Sequence, residues 1–445
     1  MALFEAKTKY GLVRGHSMEG YTVFKGIPYA KPPLGEGRFA APQEPDSWEG
    51  IYEAEHFGSV AMQVPLDPAS FYGKEFYQYS EYMPAKSEDC LYLNIWTPAA
   101  EAGEKLPVAF WIHGGAFLQG YSHEVEFDGE AYCSRGVILV SINYRLGVFG
   151  FLAHPWLEEE QAGRGGCRTS GNYALLDQIA ALRWVRENIA AFGGDPGNIT
   201  VFGQSAGCMS AQALVSTPLT EDWIAKAIFQ SASGYKSMMG TNTMEEAKKA
   251  GEEFVELTGA ADLEELRAIP AGELLEMQKA FMERRQGMGL CFGPTIDHYI
   301  LDGDCDTLLE RGEMKDIPYM MGSTAQDLGT TPQMRETGER GGLYYGCVGL
   351  SHKLEELGRR PGYVYYFTRS PLGDDAGAFH SSELWYMFGT LERSWRPKEE
   401  GDYALSGRML DAWTEFMKCG NPEGGKEGAW RPCTKEDSYV QILDI

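Results

Sequence analysis

The chain of 445 residues sets 64 Asp and Glu against 39 Lys and Arg, a formal charge of −25 that repels nucleic acid and anionic lipid and argues against both as partners. With 43% hydrophobic and 23% charged residues it can bury a large core, yet no apolar run reaches the roughly 18 residues that span a bilayer. Nine scattered cysteines without a C-x-x-C pair argue against a disulfide framework or a zinc site, so buried free thiols and no metal are expected.

In chain order, Met1 to Lys7 lack the apolar stretch of a signal peptide, which predicts a cytoplasmic protein. The first hundred residues read as β-rich, with Gly11–Gly15 and Tyr21–Phe24 expected as the arms of a hairpin. Beyond them, short apolar runs bounded by Gly, Pro or Asp alternate with helical stretches. Val108–Ile112, Val137–Asn143, Ile199–Phe202, Ala227–Gln230, Ile317–Met321 and Tyr363–Thr368 are the expected strands. Leu175, Leu176, Ile179, Leu182 and Val185 give Tyr173–Asn188 the period of a helix. Such alternation predicts an α/β fold, a mainly parallel sheet with helices on both faces, as one domain over residues 1–445.

Between about 241 and 290 the period is purely helical. Thr243-Met244-Glu245-Glu246 has capping-box spacing, and Phe254, Leu257, Leu263, Leu266 and Ile269 supply an apolar face. This segment reads as a helical insertion between two sheet strands, placed over the active site.

The chemistry concentrates at Gly203-Gln204-Ser205-Ala206-Gly207, directly after the apolar run Ile199–Phe202. A serine at a sharp strand-to-helix turn, with glycines two residues either side, presents its hydroxyl as a nucleophile. Because glycine is abundant, 54 of 445 residues, an inert serine in a glycine-rich loop competes with that reading until the flanks are weighed. Upstream, Val108–Ile112 ends in His113-Gly114-Gly115-Ala116-Phe117, where backbone amides of Gly114 and Gly115, with that of Ala206, could hold an oxyanion. Alone this would be a plain Gly-Gly turn. Two motifs of one mechanism on two expected strand ends are hard to attribute to chance.

With these motifs the chain resembles the type-B carboxylesterase family, which includes the cholinesterases and the bacterial para-nitrobenzyl esterases. The resemblance covers essentially the whole chain: Phe24-Lys25-Gly26-Ile27-Pro28-Tyr29-Ala30, Gly37-Arg38-Phe39, Ser87-Glu88-Asp89-Cys90-Leu91-Tyr92-Leu93-Asn94-Ile95, and Gly171-Asn172-Tyr173 leading through Asp177-Gln178 to the elbow. It implies an α/β-hydrolase fold and hydrolysis of small-molecule carboxylic esters through an acyl-enzyme, with no cofactor. An esterase-like binding protein without activity, and an amidase on the same fold, are the rival readings. The chain departs from the family where many relatives carry glutamate before the nucleophile; Gln204 stands there, which weakens a case for a cationic alcohol such as choline. Cys90 has no upstream cysteine to pair with, Met62 standing where the partner would be.

The family order of serine, acid and histidine implies His380, in Gly377-Ala378-Phe379-His380-Ser381-Ser382-Glu383-Leu384, over His352. The acid falls in Gly322-Ser323-Thr324-Ala325-Gln326-Asp327-Leu328, where Asp327 stands in place of the usual glutamate; Asp316 and Glu383 are the other candidates. The catalytic residues expected are therefore Ser205, Asp327 and His380. Phe71, Tyr72, Phe76, Tyr77, Tyr79 and Tyr82 form an aromatic cluster that, with Phe117, Gln204, Trp385 and Tyr386, could bind an aryl or medium-length acyl ester; core packing is the equal alternative.

Overall fold

The computed structural model describes residues 3–79, 82, 84–164, 169–237, 240–285, 290–425, 428 and 430–445. The six expected strands lie in one ten-stranded sheet. Across it, Gln441–Leu443 borders Tyr363–Phe367, followed by Tyr319–Thr324, Lys226–Gln230 and Gly194–Gln204. Leu106–Ile112 and Ile138–Ile142 come next, and these seven strands are mutually parallel. Tyr92–Thr97, Thr22–Pro28 and His16–Ser17 complete the sheet as an antiparallel edge.

The parallel strands are apolar because both of their faces are covered. Every residue of Ile138–Ile142 and of Lys226–Gln230 is buried. On one face Trp111 meets Phe127 and Phe388 edge to face and packs on Phe202, and on the other Phe110, Val201, Phe229 and Leu182 belong to the larger core. Truncating a side chain at such a position costs about 3–5 kcal/mol, because the surrounding layers cannot close on the cavity. The Tyr173–Asn188 helix has the expected bounds and is held to the sheet by a buried ion pair, Arg145 Nε and Nη2 donating to Asp177 at 2.8 and 2.7 Å. Glu400–Cys419 packs Leu405, Met409, Trp413 and Phe416 on the opposite face.

The expected hairpin is corrected. Leu12–Arg14 pairs with Glu5–Lys7 and Ile51–Glu53 in a separate three-stranded sheet. His16–Ser17 instead faces Thr22–Val23, and the turn closes through the Met18 amide on the Tyr21 carbonyl at 2.8 Å, with Gly20 at φ 84°. So short a turn can only pair the residues immediately beside it, which leaves residues 12–14 to the other sheet.

The insertion forms as three helices, Met244–Thr258, Leu263–Ala268 and Ala271–Arg284, and the capping box at Thr243 and Glu246 is made. Among the described residues, nothing from 244–284 lines the cavity above Ser205. Gln278 accepts the Val148 amide at 2.6 Å, a Cβ on Gly251 would strike the Ala153 carbonyl at 1.8 Å, and Arg38 donates to the Arg267 and Ile269 carbonyls. These contacts seat the helices beside the cavity, against residues 147–153.

The eight cysteines among the described residues are all free, and Cys167 lies outside them. Cys90 is buried with Met62 across a small pocket, and burial pushes its thiol well above the ordinary range, so it is a poor nucleophile. Titration of the denatured, unreduced protein is expected to give nine thiols; seven or fewer would reveal a disulfide. Among the described residues no helix is long and apolar enough to cross a membrane, and no cluster of His, Cys, Asp and Glu is placed to hold a metal ion.

Candidate active site

The Gly194–Gln204 strand passes into the Ala206–Ser216 helix through a single residue. Ser205 sits at φ 56° and ψ −126°, a conformation L-residues seldom adopt. Close packing makes the flanking glycines obligatory: a Cβ on Gly203 would lie 2.4 Å from the Gly207 carbonyl carbon, and one on Gly207 would lie 2.0 Å from the Ile112 oxygen. The Ser205 amide donates to the Gln230 carbonyl at 2.9 Å, which pins the turn to the next strand and leaves its side chain partly exposed at the sheet edge.

Two further loops converge on that edge. The Tyr319–Thr324 strand runs into Asp327, whose Oδ2 accepts the Thr324 amide at 2.9 Å and whose Oδ1 accepts the Leu328 amide at 2.8 Å. Gln326 forms a β-bridge with Phe379 and its Oε1 accepts the Ala378 amide, fastening the acid loop to the histidine loop. His380 Nδ1 then reaches Asp327 Oδ1 at 2.6 Å, both residues being buried. Burial pushes the His380 imidazole down, but the Asp327 charge and hydrogen bond outweigh it, and the net shift is upward. Burial likewise pushes Asp327 up, and the His380 charge and hydrogen bond bring it below the ordinary carboxylate value. An aspartate that stays ionised beside an imidazole fixes the Nδ1–H tautomer, leaving Nε2 with a lone pair that can take a proton.

The other acid candidates stand elsewhere. Asp316 lies before the same strand, at its far end, about 20 Å away at strand rise. Glu383 faces Gln230 at 3.5 Å, and its carboxyl is pushed up to about 7, by burial first and then by the Asp327 charge. His352 lies half-buried in the Gly342–Glu356 helix and meets Ser438 Oγ at 3.1 Å.

The segment after Leu106–Ile112 is held on several sides. Tyr144 donates to the His113 carbonyl at 2.7 Å, and Gln63 accepts the Gly120 amide at 2.9 Å. His113 stacks on Tyr144, and burial lowers it to about 4, so it stays neutral. Gly114 packs so closely that a Cβ would meet the Gln204 carbonyl at 2.8 Å and Ser205 Cβ at 3.2 Å. Gly115 and Ala116 follow at φ 101° and 54°, both lining the cavity with Ser205. The amides of Gly115, Ala116 and Ala206 meet no acceptor among the described residues, so they are available to a ligand oxygen. Ala116 is a residue the motif reading passed over; only its positive φ, invisible in sequence, sets it apart.

Ser205, Gln204 and His380 share a cavity of about 210 Å³ with Tyr72, Phe76, Tyr77, Leu328 and Leu384. Gln204 lines this cavity, and its amide nitrogen lies 3.2 Å from His380 Nε2 and donates to that lone pair. Phe117 and Trp385 do not line the cavity. Phe117 is fully buried against Phe151, and Trp385 stacks beneath Phe76 at 5.5 Å between ring centres, one layer behind the wall. Tyr386 is buried too, its hydroxyl donating to Asp402 at 2.6 Å. The cavity also carries two carboxyls, Glu124 and Glu126, which sequence reading missed. The only trace was an acid pair two residues apart within Tyr121-Ser122-His123-Glu124-Val125-Glu126-Phe127.

The chain as a whole is similar to known proteins. The model of the carboxylesterase family matches residues 4–340 and 344–444. The chain is 35% identical to the para-nitrobenzyl esterase of Bacillus subtilis, over 98% of this chain and 94% of that one. It is 31% identical to the fumonisin B1 esterase of Sphingopyxis macrogoltabida, over 95% and 83% of the two chains. Among solved structures, a thermophilic para-nitrobenzyl esterase superposes with a TM-score of 0.85 at 32% identity, covering 99% of this chain and 96% of that one. A carboxylesterase of Geobacillus stearothermophilus gives 0.82 at 33% identity, covering 99% and 96%.

Proposed function

The chain belongs to the carboxylesterase family and hydrolyses carboxylic esters on an α/β-hydrolase fold, and from that premise we propose that Ser205, His380 and Asp327 are its catalytic residues. The observation that carries this is the buried 2.6 Å contact of His380 with Asp327 at a cavity shared with the strained Ser205.

On this reading Ser205 Oγ attacks the ester carbonyl while His380 Nε2 takes its proton, the Gln204 N–H giving way to the serine hydroxyl. Asp327 holds the imidazolium that forms. The oxyanion is received by the amides of Gly114 or Gly115 and Ala206, with Ala116 beside them. Collapse expels the alcohol, protonated by His380, and leaves an acyl-Ser205 that water hydrolyses with His380 again as base. The aromatic wall of Tyr72, Phe76 and Tyr77 supports an apolar acyl or aryl group beside the carbonyl. The whole of 1–445 is read as one domain with 241–290 as its insertion, and the free thiols support a reducing compartment, the cytoplasm.

Asp327→Asn tests the assignment. The amide keeps the shape but can hold the wrong imidazole tautomer, so kcat is expected to fall on the order of 10³–10⁴-fold with little change in KM. Asp327→Glu is expected to retain substantial activity, since a carboxylate still accepts from Nδ1. A near wild-type Asp327→Asn enzyme would move the acid to another residue.

A further inference from the structure

Next to Tyr77 of the aromatic wall, the catalytic cavity has an acidic lining that ester hydrolysis does not require. Glu124 and Glu126 both border it, at 6% and 1% exposure. Glu124 Oε1 is held in place by the Tyr77 hydroxyl at 2.8 Å and the Tyr121 amide at 2.9 Å. Glu126 faces Glu124 closely enough to share a proton, and its Oε2 has no hydrogen-bond partner. A buried carboxyl oxygen left without a donor is costly unless something supplies one.

Among the described residues neither carboxyl forms an ion pair, and the Arg393 cation lowers Glu126 only through space, its hydrogen bonds being made elsewhere. The Arg393 guanidinium turns to the Val125 carbonyl at 3.1 Å and to the Asp128 carboxylate. Neighbouring His113 and His123 are lowered by burial to about 4 and about 3, and stay uncharged. Burial pushes both Glu124 and Glu126 above the ordinary carboxyl range, and the Glu124 charge pushes Glu126 further. Two buried carboxyls this close disfavour carrying two charges at once, and beside an aromatic wall a positively charged N–H donor would relieve both the repulsion and the unpartnered Oε2.

We propose that Glu124 and Glu126 form an ammonium-binding subsite in the wall of the catalytic cavity, so that preferred ester substrates carry a protonated amine. The inference rests on the esterase reading of Ser205 only for the identity of the ligand as part of an ester. It differs from recognition of the alcohol at Gln204, because the acidic pair belongs to a different segment, after the Gly114–Phe117 turn.

The probes are n-butylammonium and n-butanol, of equal length, as competitive inhibitors of a neutral nitrophenyl ester at constant ionic strength. In the wild type the ammonium is expected to bind at least tenfold tighter than the alcohol, the advantage of a charge-assisted over a neutral hydrogen bond at a buried site. In Glu126→Gln that ratio is expected to fall close to one, and Glu124→Gln to lower it likewise. Equal inhibition constants in the wild type, or a preference surviving both substitutions, would overturn the proposal. Calorimetric titration of butylammonium into Ser205→Ala reads the subsite without turnover. Binding there without any esterase activity in the wild type would sink the catalytic reading alone; turnover without ammonium preference would sink only the subsite.

Discussion

Ser205→Ala is expected to lower ester turnover by about 10⁶-fold, the scale on which removal of a triad nucleophile acts. Covalent labelling by a fluorophosphonate, stoichiometric in the wild type, is expected to vanish with it. The fold is expected to survive. The Ser205 hydroxyl makes no hydrogen bond among the described residues, and the Cβ that must tolerate φ 56° is present in alanine as in serine. Stability is therefore expected to stay within about 0.5 kcal/mol of the wild type, the range of a substitution that touches no packed or paired group. A variant with wild-type turnover, or one that still labels, would show that another residue is the nucleophile.

His380→Ala is expected to cost on the order of 10³-fold or more in kcat, because the same imidazole transfers protons in acylation and deacylation. The variant also strips the buried Asp327 of its imidazole hydrogen-bond donor, but the Thr324 and Leu328 amides still hold that carboxylate, so the loop keeps its anchors. His352→Ala is the control and is expected to change kcat little, since that side chain contacts Ser438 and does not line the cavity. A pH profile gives an independent reading. His380 must be neutral to accept a proton, and Asp327 holds its pKa above the ordinary 6.5. Activity is therefore expected to be full at alkaline pH and to fall on acidification, with a midpoint above 6.5. Removing the negative partner in Asp327→Asn is expected to move that midpoint down. A midpoint that stayed put would separate the titrating group from the His380–Asp327 pair.

The parts legible in the sequence share a local cause. Parallel strands covered on both faces demand near-continuous apolar runs, so the strands built on Ile138–Val140 and Ala227–Phe229 announce themselves without knowledge of their neighbours. Tyr173–Asn188 is a helix in sequence and in structure because its 3.6-residue period is a property of the segment alone. Ser205 is legible because Gly203 and Gly207 are imposed by backbone atoms only a few bonds away or on the adjoining strand. The family resemblance carried the reading to His380 and Asp327, but their approach to 2.6 Å joins loops 53 residues apart and depends on which strands lie side by side. Tertiary packing also decided what sequence left even: Trp385 and Phe117 went to the core, Tyr72, Phe76 and Tyr77 to the cavity. The short edge strands and the true hairpin follow the same rule, since a strand of two or three residues has no period of its own and forms only where a neighbour offers its backbone. Glu124 and Glu126 are the extreme case. In sequence they are two acids in a highly acidic chain; their burial in the cavity of Ser205, with no ion-pair partner among the described residues, is a fact of the fold alone.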